Sequence, residues 1–332
     1  MLSNAALPAA AWYVPWYLWF VFALAERKNE PQKKIKYHCE RAHTRHRVSR
    51  VNVMYTSMKG IVMTTTPAQT GYASVNGLRM YYEIHGTGQP LVLIHGAFSA
   101  IGTSFGAVLP ELAKTRQVIG FEMQAHGHTA DIDRPMSLEQ MADDTAAAIR
   151  QLGFDQVDVF GYSMGAAVAL HLVIRHPDVV RKLVLASSSF NMSGIHPGLM
   201  EGLGDMKPEM MFGSPWHEEY LRIAPNPDGF AALFAKKTQM DRGIQDIPAE
   251  AIQAITAPTL IIIGDSDLIR PEHAVEMFRL LGGGVFGDSP AGLPNSQLAI
   301  LPGTSHVTVV FRADLLLAII PPFLDAPMPE AR

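Results

Sequence analysis

The sequence predicts an α/β fold: a mostly parallel central sheet flanked by helices, with a helical cap inserted late in the chain. Three observations predict it. From about residue 70, short β-rich runs alternate with helical stretches. The runs are apolar throughout, as strands buried on both faces are. The alternation then gives way at residues 191–256 to a segment dense in Met, Phe, Trp and Pro.

The elements follow in order. Tyr72–Val75, Asn76-Gly77 and Leu78–His85 read as a hairpin, because Asn-Gly suits a type I′ turn. Leu91–Ile94, Val118–Phe121, Val157–Phe160, Leu183–Ala186, Leu260–Ile263 and Leu298–Leu301 read as the buried strands. Ser137-Leu138-Glu139-Gln140 reads as a capping box. Leu138, Met141, Thr145, Ala148, Ile149 and Leu152 then recur on one helical face until Gly153. Met164 to His176 is a helix ended by Pro177, and Pro271 to Leu281 is one with proline in its first turn and Gly282-Gly283-Gly284 beyond its end. Asp314 starts a last helix, expected to break at Pro321-Pro322. Residues 282–296 are a Gly/Pro-rich loop without periodicity. The division expected is a core of residues 63–190 and 257–332, a cap of residues 191–256 and an extension of residues 1–62.

At 332 residues, 48% hydrophobic and 17% charged, the chain can bury a sizeable core and is not wholesale disordered. Its net charge of −4 hides an asymmetry: residues 1–62 hold ten Lys/Arg against three Asp/Glu, and the remainder 17 against 28. An acidic body gives no basic face for nucleic acid. One cysteine, Cys39, excludes an internal disulfide framework and suggests a reducing compartment, hence a cytoplasmic protein. The run Ala9 to Ala25 is apolar, aromatic and uncharged, but is barely long enough to span a bilayer and is interrupted by Pro15. No basic n-region precedes it, which argues against a secretory signal. It reads as an extension outside the working protein, Met63 being a natural start. The alternative is a membrane anchor, which the basic Arg27–Lys59 stretch would orient with the body in the cytoplasm. His38, Cys39, His43 and His46 make an incomplete ligand set for zinc and read as a solvated basic stretch.

Gly161-Tyr162-Ser163-Met164-Gly165 matches the nucleophile-elbow pattern, in which a strand turns sharply into a helix and lifts a serine hydroxyl above the sheet. The pattern alone would arise by chance in about one chain of this size in ten. Here a strand precedes it and a helix follows it. A serine needs a base, and His306 lies in Pro302-Gly303-Thr304-Ser305-His306, after the last strand. The imidazole needs a carboxylate, and Gly264-Asp265-Ser266-Asp267 follows its own strand at the same sheet edge.

With these motifs, and with His95-Gly96-Ala97-Phe98 and Ala125-His126-Gly127-His128-Thr129, the chain resembles the α/β-hydrolase superfamily over about residues 72–324, and within it the capped esterase and haloperoxidase-like branch. The resemblance implies Ser163 as nucleophile, His306 as base and Asp267, over Asp265, as the acid. It implies an oxyanion hole from the backbone N–H groups of Ala97 and Met164. Relatives often carry Asp where this chain has Glu122, a departure that concerns local packing. His95 reads as a loop-shaping residue, and His126 and His128 lack a third ligand for a metal. Ser187-Ser188-Ser189 occupies a place where some relatives carry their acid, and holds no carboxylate. No phosphate loop or cofactor signature is present, so no cofactor or metal is expected. The expected activity is hydrolysis of small or medium, fairly apolar carboxylic esters through an acyl-enzyme, Met and Phe of the cap lining the pocket. Perhydrolase, lactonase or C–C bond hydrolase chemistry would use the same three residues, and a non-catalytic ligand-binding member of the fold is the alternative from another class.

Overall fold

The computed structural model describes residues 66–204, 206–290 and 292–329. The readings placed on residues 1–62, with the apolar run, the Cys39 cluster and the Met63 start, lie outside them. The eight strands are β1 (Gln69–Val75), β2 (Leu78–His85), β3 (Gln89–Ile94), β4 (Arg116–Phe121), β5 (Val157–Tyr162), β6 (Val180–Ala186), β7 (Thr259–Ser266) and β8 (Gln297–Ser305). They form one sheet in the order β1-β2-β4-β3-β5-β6-β7-β8. The hairpin β1–β2 and the β2–β4 pair are antiparallel, and every other pair is parallel. Asn76 and Gly77, both at positive φ, make the hairpin turn.

Helices cover both faces. α1 (Ile101–Phe105), α2 (Leu109–Leu112) and α10 (Ala313–Asp325) lie on one, with α3 (Leu138–Gln151), α4 (Met164–Arg175) and α9 (Pro271–Leu280) on the other. Alternation along β3 shows why the strands are apolar throughout: Leu91 and Leu93 pack with Phe105, Leu109 and Ile320, while Val92 and Ile94 pack with Ile149, Ala166 and Leu170. The β6–β7 connection holds α5 (Leu199–Gly204), α6 (Pro215–Ile223), α7 (Phe230–Gly243) and α8 (Ala249–Gln253). From β3 the chain moves to β4 on one side, then crosses to β5 on the other. Such a reversal leaves a crevice at the carboxyl ends of the strands, where ligands of open α/β sheets bind.

Two local expectations are corrected. The last helix does not break at Pro321-Pro322 but continues to Asp325. Each internal proline costs about 3 kcal/mol, whereas burial of Leu316, Ile320, Phe323 and Leu324 contributes about 1.5–3 kcal/mol apiece, so packing prevails. The capping box is half formed. Ser137 Oγ accepts the Gln140 N–H at 3.1 Å, but the Gln140 side chain donates instead to Asp144 Oδ1 at 3.0 Å. Asp144 is fully buried and also takes Asn76 and Arg134, a stronger draw than the helix terminus. The short helices α1 and α2 carried too little periodicity to be read from the sequence.

The amino edge of the sheet holds buried charge. Asp158 accepts from Arg116 at 3.2 Å and from Arg181 at 2.6 Å, and Lys182 donates to the Phe323 and Leu324 carbonyls at 2.9 and 3.1 Å. The Lys182 bonds hold the C-terminal turn of α10, whose last carbonyls lack helical partners. Ser163, Asp267 and His306 lie at the opposite, carboxyl edge.

Candidate active site

Ser163 sits between β5 and α4 with φ 54° and ψ −120°, a region that non-glycine residues rarely occupy and that costs about 1–3 kcal/mol. The flanking glycines make the turn sterically feasible. A β-carbon on Gly161 would lie 2.3 Å from the Gly165 carbonyl oxygen, and one on Gly165 would lie 2.0 Å from that of Ile94. The Ser163 N–H remains tied to the Ala186 carbonyl at 2.8 Å, so the strained residue is anchored to β6.

Three side chains meet above this edge. Ser163 Oγ lies 2.9 Å from His306 Nε2, and His306 Nδ1–H donates to Asp267 Oδ1 at 2.8 Å. With Nδ1 protonated, Nε2 is the acceptor for the serine hydroxyl. Asp267 has a fully buried side chain. Burial alone would raise its pKa; the His306 hydrogen bond and charge, the Ser187 hydroxyl at 2.6 Å and the Gly264 N–H at 3.1 Å hold it below the ordinary carboxylate value. Asp265 points elsewhere, accepting the Gly303 and Thr304 N–H groups at 2.8 and 3.1 Å and pinning the turn that presents His306. Those two N–H groups lower its pKa.

Ala97 and Met164 line the same cavity as Ser163. Met164 opens α4, so its N–H belongs to a helix N-terminus, where unpaired donors and the helix dipole favour negative charge. The loop carrying Ala97 is held from beneath by His95. Its Nδ1–H donates to the Gly96 carbonyl at 2.8 Å while Nε2 accepts the Met123 N–H at 3.1 Å. Burial lowers the His95 pKa, in keeping with a neutral ring that bridges two loops. His126 is likewise buried, its pKa pushed down to about 3 by desolvation and by His95, and Nδ1 donates to the Gln124 carbonyl. His128 binds Glu122, which accepts from its Nδ1 at 2.9 Å and its N–H at 2.5 Å. No group of three or more metal-ligating side chains exists among the described residues.

Two residues to which the sequence assigned no role at the site support the constellation. Tyr162, the variable residue of the elbow, donates its hydroxyl to the His306 carbonyl at 2.9 Å and so ties the histidine loop to the serine turn. Ser187, at φ 58°, donates to Asp267. The sequence marked the Ser187 position as one without a carboxylate, but nothing in it pointed to a hydrogen bond spanning 80 residues.

The cavity has a volume of about 380 Å³ and an overwhelmingly apolar lining. Met192, Met200, Met206, Met210, Met211 and Met240 contribute to it from the β6–β7 connection, with Trp216 and Phe234. Phe98, in the loop after β3, stacks on Phe234 of α7 at 5.2 Å between ring centres, joining that connection to the Ala97 loop. Lys237, the one Lys or Arg among the described lining residues, is bound through both carboxylate oxygens of Asp241 at 2.5 and 2.6 Å. No helix among the described residues is long and apolar enough to cross a membrane.

Comparison with known proteins gives a consistent picture. Residues 89–243 match the family described as the alpha/beta hydrolase fold. A 2-hydroxymuconate semialdehyde hydrolase of Pseudomonas sp. (strain CF600) is 28% identical over 230 residues, covering 59% of this chain and 76% of that protein. A pimeloyl-[acyl-carrier protein] methyl ester esterase of Neisseria meningitidis is 25% identical over 259 residues, covering 72% and 77%. Among solved structures, a meta-cleavage product hydrolase from Pseudomonas fluorescens IP01 superposes with a TM-score of 0.62 at 20% identity, covering 78% of this chain and 98% of that one.

Proposed function

Because the chain belongs to the α/β-hydrolase superfamily, we propose that it is a serine hydrolase that cleaves apolar carboxylic esters through an acyl-enzyme on Ser163. The observation that carries the reading is the unbroken hydrogen-bond line from Ser163 through His306 to buried, ionised Asp267. Ser163 Oγ attacks the ester carbonyl while its proton passes to His306 Nε2. The N–H groups of Ala97 and Met164 stabilise the resulting oxyanion, an effect worth about 3 kcal/mol per donor in comparable sites. As the tetrahedral adduct collapses, the C–O bond to the alcohol breaks and His306 returns the proton to the departing oxygen. Water, deprotonated by the same histidine, then attacks the acyl-enzyme and frees Ser163. Asp267 keeps Nδ1–H fixed and stabilises the imidazolium that forms in each half of the cycle.

The same three residues would serve the C–C bond cleavage suggested by the 2-hydroxymuconate semialdehyde hydrolase. That relative's substrate is by name a carboxylate. Here the lone lining Lys/Arg among the described residues is neutralised by Asp241 and the remaining surface is mainly thioether, aromatic and aliphatic, which suits an ester without a carboxylate better.

Labelling by a fluorophosphonate tests the nucleophile, and a series of p-nitrophenyl esters tests the reaction. The expected result is rapid labelling that disappears in Ser163→Ala, together with ester turnover by the unaltered chain. Undiminished labelling in Ser163→Ala, or labelling without turnover of any ester, would overturn the proposal.

A further inference from the structure

A second cavity, of about 180 Å³, adjoins the first. The two share five lining residues, Leu138, His171, Met240, Ile244 and Gln245, so these side chains form the wall between them. Helix α4 runs along the floor from one to the other. Ser163, Ala167 and His171 are spaced four residues apart, lie on one stripe of the helix and all line the first cavity; His171 also reaches the second. The axial distance from Ser163 to His171 is about 12 Å at 1.5 Å per residue. An extended chain covers about 3.5 Å for every three bonds, so about ten bonds separate an acyl carbon on Ser163 from the His171 ring.

The far cavity differs in chemistry from the near one. Glu139, in the first turn of α3, lines it and makes no hydrogen bond or ion pair with the described residues. Neighbouring cations are already engaged. Lys236 is held by Asp131 and the Ile132 and Arg134 carbonyls, and Arg175, one turn beyond His171, is held by Asp143. Burial lowers the His171 pKa, leaving a neutral imidazole beside the Glu139 carboxylate. The far cavity thus offers an unpaired anion and a neutral hydrogen-bonding ring at the end of an apolar trough.

We propose that this second cavity is a distal subsite of the same active site, taking the hydroxyl or ammonium end of an ester whose acyl chain extends about ten bonds along α4. The proposal rests on the ester-hydrolase reading above. Met240, an unbranched thioether in the dividing wall, swings aside to let the chain pass. A terminal donor meets Glu139 and His171, whereas a terminal carboxylate meets an uncompensated like charge in a partly desolvated site.

The test compares p-nitrophenyl acetate with four ten-carbon p-nitrophenyl esters, ending in methyl, hydroxyl, ammonium and carboxylate, on the full chain. The expected order of kcat/KM places hydroxyl and ammonium above methyl by about fivefold or more, and carboxylate below methyl by a similar factor. In Glu139→Gln the ammonium advantage should collapse and the carboxylate penalty should shrink, while the hydroxyl ester keeps its rank. Equal values for the four ends, a preference for carboxylate, or a clear optimum at acetate would overturn the subsite. Failure to cleave any of the esters, acetate included, would instead remove the reaction on which the subsite depends.

Discussion

Ser187→Ala removes one of four hydrogen bonds to the buried Asp267 carboxylate, leaving His306 Nδ1, the Gly264 N–H and the Ile269 N–H. A hydrogen bond to a charged group contributes about 1.5–3 kcal/mol. Because Ser187 also borders the cavity, water can replace part of the lost donor, which favours the low end, about a tenfold fall in kcat. KM should hold, since the loss falls on the imidazolium–carboxylate pair of the transition state. A second effect follows from the depressed Asp267 pKa. A carboxylate lowered on folding contributes stability above its unfolded value, and loses it as pH falls through its folded value. Removing the Ser187 donor lifts the folded value, so the acid unfolding midpoint should move to higher pH. The assay pairs ester turnover with acid denaturation followed by fluorescence. Ser187→Gly separates the hydroxyl from the backbone, since glycine accepts φ 58° without strain. Both variants retaining kcat within about twofold of the parent would refute the argument.

Tyr162→Phe deletes the bond that ties the His306 loop to the elbow; kcat and the rate of fluorophosphonate labelling should fall about three- to tenfold with KM unchanged, the range set by a neutral hydrogen bond. Gly165→Ala drives a β-carbon to 2.0 Å from the Ile94 oxygen and 2.5 Å from that of His95, both backbone atoms unable to swing aside. Calorimetry should show a melting temperature lowered by about 10 °C or more, and an unaltered one would contradict the close approach. His128 has its pKa raised chiefly by its hydrogen bond to Glu122. Its contribution to stability is therefore full below the unfolded histidine value and fades as pH rises through the folded one. His128→Asn should lower the unfolding free energy from urea titration more at pH about 5.5 than at pH about 9, by less than about 1 kcal/mol because the ring is one-third exposed. An equal deficit at both pH values would show that the charge is not involved.

What the sequence disclosed depends on whether a residue's role is set locally. The central strands were legible because burial on both faces leaves an unbroken apolar run, and the elbow because Gly161 and Gly165 answer to steric contacts next to Ser163. Asp267 and His306 were legible through their strand-end positions. The bonds that tune them were not: Ser187 reaches Asp267 across 80 residues and Tyr162 reaches the His306 loop across 144, separations at which neither residue type announces a partner. Pro321-Pro322 misled because a local rule was applied to a helix end whose fate is decided by burial against the sheet.

In the β6–β7 connection the sequence showed a helical, Met-rich segment but not the bounds of its helices, and the reason bears on specificity. Helix α7 buries Phe230, Leu233, Phe234, Lys237 and Met240, and three of these also border the cavity. A helix that serves a core on one side and a binding space on another loses the single apolar stripe by which amphipathic helices are recognised. Lys237, its cation on the first cavity, is neutralised within the helix by Asp241, four residues on, so it leaves no imprint as a charged patch. The reacting atoms are placed by backbone geometry, which constrains residue type sharply. The substrate is chosen by side chains that need only be apolar, adaptable and of suitable volume, and many sequences meet that condition. Specificity therefore has to be sought in the polar groups that interrupt the apolar lining, among them Glu139 and His171, neither of which makes a side-chain hydrogen bond to the described residues.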